Sequence, residues 1–77
     1  MHFKELLQNE IKSLTFERVE FNTPLISSNL LDSITLIDLA IFIEEHTKVS
    51  IPTKDIKVKN FDSINLIANY LKKRENN

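Results

Sequence analysis

Three separated stretches of this chain place apolar residues at three- and four-residue steps, the spacing of helices that bury one face. The first is Phe3, Leu6, Leu7, Ile11 and Leu14, which predicts a helix over residues 2–16. The second opens at Asp32 or Ser33 and runs to residue 48. The third, Ile64, Leu66, Ile67, Tyr70 and Leu71, predicts a last helix over 62–74. Between the first two, "RVEFNTPLISSNLLDS" breaks the period. Thr23-Pro24 marks non-helical chain there, because proline pushes the residue before it out of the α region. Leu25 and Ile26 are expected to pin this loop. After the second helix, "VSIP" cannot extend the period, and "TKDIK" has room for one short helical turn over 53–57. The expected fold is all-α: a four-helix bundle in one domain over residues 1–77, with a long loop after the first helix and a short third helix.

The 77 residues include no cysteine, so neither a disulfide nor a thiolate ligand or nucleophile is available. The core must come from Leu, Ile, Val and Phe, in a chain small enough to have a thin stability margin. No apolar run approaches the ~20 residues of a membrane span. The charged "MHFKELLQNEIKSL" is not expected to be a signal peptide. A cytoplasmic monomer is expected. Net charge is −1, but unevenly spread: residues 25–50 carry Lys48 against Asp32, Asp38, Glu44 and Glu45. Residues 51–77 carry six basic against three acidic groups. Lys and Arg at the end of the last helix complement its dipole. Without an aromatic ladder or a long basic stripe, they do not suggest a nucleic-acid partner.

The tripeptide Asp-Ser-Ile occurs twice, in "LDSITLI" at Leu31–Ile37 and "FDSINLI" at Phe61–Ile67. Either copy can be a capped helix start, since Asp and Ser accept hydrogen bonds from first-turn amides. The helices they open have different surfaces. Projected at 100° per residue with Ile34 at zero, Leu36, Leu39, Ala40 and Ile43 fall between about 140° and 240°, a core-facing stripe. Ile34, Ile37 and Ile41 fall nearly opposite, at about 300° to 360°, with Asp38, Glu44 and Glu45 among or beside them. One reading is a short helix buried on both sides. It would bury Asp38 and Glu45, which needs partners. The other is a partner-binding face of isoleucines and acids that steers toward a basic protein surface. Ser33 lies beside this face at about 260°. The helix after Ser63, "INLIANYLKKR", has no such acids and turns basic, so Asp62 or Ser63 is expected to be an ordinary cap.

These residues resemble the core of acyl carrier and peptidyl carrier proteins. The likeness lies in Leu31, Asp32-Ser33-Ile34, the helix of interleaved acids and apolar residues, Glu44-Glu45, and Ile51-Pro52. Leu25 and "FDSINLIANYL" extend it over nearly the whole chain. The resemblance implies that Ser33 receives a 4′-phosphopantetheine arm from coenzyme A and that Asp32 helps partners recognise the site. It implies docking on Ile34, Ile37, Asp38, Ile41, Glu44 and Glu45. The expected partners are a phosphopantetheinyl transferase and the enzymes that load and accept an acyl or aminoacyl group. Family members usually have a glycine just before the Asp-Ser pair; this chain has none, and Asn29, tolerant of positive φ, is the expected substitute. Compared with typical fatty-acid carriers, "LLDSI" and the near-neutral charge lean toward aminoacyl, peptidyl or D-alanyl carriers, or a stand-alone carrier of a specialised pathway. The alternative is an unmodified helical interaction module using the same isoleucine face. An enzyme is not expected: Ser33 and His46 are thirteen residues apart, roughly 20 Å along a helix, too far for proton transfer. No spacing suits zinc.

Overall fold

The first apolar period folds as α1, Phe3–Thr15, in a computed structural model that describes residues 2–75. The second folds as α2, Ser33–Thr47. The helix expected over 53–57 is instead a 3₁₀ turn, Thr53–Asp55, followed by a separate α-helical turn, α3, Val58–Phe61. The last helix, α4, is Ile64–Glu75, beginning two residues later than expected because Asp62 and Ser63 are given other tasks. Among the described residues there are helices and no strand, and no helix is long and apolar enough to cross a membrane. α4 packs on α1 and α3, and α1 on α2.

One hydrophobic cluster joins every helix. Leu7 and Ile11 enter it from α1, Leu36, Leu39 and Ile43 from α2, Phe61 from α3, and Ile64, Ile67 and Leu71 from α4. The irregular segments contribute as fully as the helices: Val19, Leu25, Leu31 and Ile51 are buried. Phe61 and Tyr70 meet with ring centroids 5.6 Å apart. The Tyr70 hydroxyl donates to Asp55 Oδ2 at 2.6 Å, tying the 3₁₀ turn to α4. Burial, helped by that bond to Asp55, pushes the phenol up to about 12.

A chain without glycine must make its reversals with other residues. α1 ends at Phe16 with φ 63° and α2 at Lys48 with φ 61°, left-handed positions usually given to glycine. The third left-handed residue among those described is Asn29, φ 66°, in the long loop, the positive φ expected of this asparagine.

The loop between α1 and α2 is fastened to the start of α4. Asp62 Oδ1 accepts the amides of Leu25 (3.2 Å), Ile26 (2.8 Å) and Ser27 (2.9 Å), and Oδ2 accepts the Ser27 hydroxyl at 2.8 Å. The Asp62 carbonyl also accepts the Leu25 amide at 2.8 Å. Close by, the Asn65 amide donates to the Phe21 carbonyl, and its side chain donates to Asn22 Oδ1. Within the loop, the Leu31 amide closes back on the Leu25 carbonyl at 2.9 Å.

The Ser27 amide is the largest influence on Asp62; with the Ser27 hydroxyl and the Ile26 and Leu25 amides it outweighs desolvation and holds the carboxyl below its ordinary 3.8. A carboxyl whose pKa is lower folded than unfolded adds stability that is complete above the unfolded value. That stability disappears as pH falls through the folded value. Urea midpoints followed from neutral pH down through the carboxylate range should therefore drop steeply at the acid end. Asp62→Asn should lower the neutral midpoint and flatten the acid drop; an unchanged acid limb would show that the tie carries no pH-dependent stability.

Candidate functional site

The two Asp-Ser-Ile copies are used in registers one residue apart. At the first, Asp32 is extended (ψ −179°) and its side chain accepts the Thr35 amide at 2.8 Å. Its carbonyl accepts the Leu36 amide at 2.9 Å, so Asp32 is the N-cap and Ser33 the first helical residue. The Thr35 amide holds the Asp32 carboxyl below its ordinary range. Ser33 is exposed, and the cap does not need its hydroxyl. At the second copy, α3 runs straight into Asp62, whose φ −77° and ψ −4° are helical. A helical residue cannot be an N-cap, so the role passes to Ser63, whose Oγ accepts the Leu66 amide at 3.1 Å. Ser63 is only 8% exposed. One serine stands free at a helix start and the other is committed to its cap.

α2 buries Leu36, Leu39, Ala40 and Ile43 and leaves the opposite isoleucines to solvent: Ile34 is 75%, Ile37 40% and Ile41 47% exposed. Asp38 and Glu45 are also exposed. Ser33, Ile34, Ile37, Asp38, Ile41 and Glu45 therefore lie along one accessible side of a single helix, with the serine at its N-terminal end next to the exposed Asp32 cap. Glu44 is placed differently. It is half-buried, and its Oε2 accepts the Ile51 amide at 2.7 Å, holding the turn after α2 against the helix. Sequence reasoning set it beside Glu45 on the docking face; its carboxylate is committed within the fold.

His46 stands at the far end of α2 from Ser33. Its Nδ1 lies 3.2 Å from the Phe42 carbonyl and its ring stacks on Phe42 at 4.2 Å. This is a helix-end contact. A groove of about 340 Å³ lined by Phe3, Ala68 and Leu71 opens near His46 and Lys72. It meets α2 only through His46 and Thr47, a helix length from Ser33. Among the described residues there is no group of three or more His, Cys, Asp or Glu that could hold a metal ion.

The contribution of Asp62 was not legible as such. The repeat drew attention to it, but as a cap. The available signal was the segment after Pro24, where a buried Leu25 requires its amide to find an acceptor that no regular element supplies. Compared with known protein families and with characterised proteins, the chain matches none.

The exposure of the isoleucine stripe gives a direct expectation. Ile37→Asp should change the free energy of unfolding by less than about 1 kcal/mol. Ile43→Ala, one helical face away, should cost about 2–5 kcal/mol. Urea denaturation of the two variants compares them, and similar losses would mean that the stripe is core.

Proposed function

We propose that this protein is a carrier of the acyl carrier and peptidyl carrier family, modified at Ser33 with 4′-phosphopantetheine. The observation that carries the reading is the state of that serine. It is exposed, released from capping by Asp32, and set at the head of a helix whose solvent side alternates isoleucines with carboxylates. The element order supports it: α1, a long loop, the serine helix, a short third helix and α4. Asn29, left-handed at φ 66°, supplies the conformation that a glycine gives in the family pattern.

The residues present fit the group. The arm, when bound, supplies a thiol that holds an acyl or aminoacyl group as a thioester. Ser33 supplies the accepting hydroxyl. A phosphodiester there lies at the positive end of the α2 dipole, which favours an anion. Asp32 fixes the helix start and presents a carboxylate beside the attachment point. Ile34, Ile37 and Ile41 give partner enzymes an apolar strip, and Asp38 and Glu45 steer basic surfaces toward it. No residue of the chain is asked to act as acid, base or nucleophile in the later chemistry; the enzymes docking on α2 perform it. The net charge of −1 favours aminoacyl, peptidyl or D-alanyl cargo over a fatty-acid role.

Intact mass after incubation with coenzyme A and a promiscuous phosphopantetheinyl transferase tests the reading. Wild type should gain one phosphopantetheine. Ser33→Ala should gain none and Ser63→Ala should gain it as wild type does. No gain in the wild type would leave the α2 face as the docking surface of an unmodified module.

A further inference from the structure

We infer that Asp62 is a positioning residue for the modification of Ser33, an inference that rests on the carrier reading above. The two residues are far apart in sequence and belong to different helix starts, yet an unbroken series of contacts joins them. Asp62 Oδ1 holds the amides of Leu25, Ile26 and Ser27, and its carbonyl holds the Leu25 amide a second time. The Leu25 carbonyl accepts the Leu31 amide, which closes the loop that contains left-handed Asn29. Leu31 is buried and directly precedes Asp32, whose carboxylate caps α2 at Thr35. Ser33 is the next residue. The carboxylate at the base of this loop thus sets where the α2 N-terminus begins and how the chain enters it.

The alternative is that Asp62 only stabilises the fold. The two roles separate because Asp62 has a neighbour that does just that. Ser63 caps α4, and its side-chain hydrogen bond goes to the Leu66 amide and not to the loop. Losing the cap weakens α4 by an amount of the same order as losing the tie. Only losing the Asp62 carboxylate loosens residues 26 and 27, while the Leu25 amide keeps its bond to the Asp62 carbonyl. A loop that is competent for the transferase only part of the time lowers its apparent affinity by that fraction. The defect therefore falls on the KM for the carrier more than on kcat.

The experiment is the rate of phosphopantetheine loading, followed by intact mass over a range of carrier concentrations, for wild type, Asp62→Asn and Ser63→Ala. Helical content is checked by circular dichroism at the assay temperature. Asp62→Asn should raise KM roughly tenfold, the effect of a loop competent about a tenth of the time, with kcat within about twofold. Ser63→Ala should load within about twofold of wild type. Asp62→Asn loading as wild type does, or Ser63→Ala slowed equally at matched helicity, overturns the inference. If Asp62→Asn loses its helicity, Ser27→Ala takes its place, since it deletes only the bond to Oδ2. A raised KM in that variant supports the positioning role, and an unchanged one overturns it. A wild type that does not load at all removes the carrier reading first, and this role with it.

Discussion

Proline at position 24 turns the chain inward and Leu25 follows it into the core, carrying a peptide amide where water cannot serve it. A buried amide without an acceptor costs about as much as one or two good contacts provide. The Asp62 carbonyl meets this demand at 2.8 Å; its carboxylate adds a longer bond to the same amide and holds those of Ile26 and Ser27, a charged acceptor making such bonds stronger than a neutral one. The first part of the loop is held to α1, where the Gln8 side chain donates to the Val19 carbonyl, but residues 25–27 are fastened to the start of α4. Closing that contact spans 35 to 37 residues. Its cost in chain entropy grows only slowly with length, so the arrangement is tolerable in a small protein. It also makes the order of the loop conditional on the last helix being docked.

The same dependence explains why identical tripeptides end in different roles. Capping is decided by the backbone before the tripeptide rather than by the tripeptide. Leu31 arrives from a turn and leaves Asp32 extended, so the aspartate caps and the serine is released. Phe61 arrives from a helical turn and leaves Asp62 helical, so the serine caps and the aspartate is released. One copy frees a hydroxyl at the surface; the other frees a carboxylate to reach across the molecule.

The periods of α1, α2 and α4 could be read from the chain because Leu7, Ile11, Leu39, Ile43, Ile67 and Leu71 repeat on one face of each helix, and burial follows that repeat. Asn29 could be read as the left-handed position because few residues other than glycine tolerate that region, and asparagine is one. The second stripe of α2 could be seen as anomalous, though spacing alone did not decide between core and solvent. What escaped reading is either very short or non-local. α3 is the four residues "VKNF", too short for any period to register. Glu44 looked like its neighbour Glu45 until the turn after α2 brought the Ile51 amide beneath it. Asp62 looked like a cap because the amides it accepts belong to a distant part of the chain.

Phe16, Asn29 and Lys48 sit in a backbone region that costs an ordinary L-residue roughly 1–2 kcal/mol and asparagine less. That strain has a counterpart on the other side of the folding equilibrium. Glycine is the residue that loses most freedom on folding, and a chain without it unfolds into a narrower set of backbone shapes. Less disorder is therefore surrendered at each reversal than a glycine would surrender, which offsets part of the strain stored there. The three bends are held by the packed structure against their own preference, and once packing at a helix end is lost they relax toward extended chain. Their stiffness belongs to the fold as a whole and not to the bends themselves.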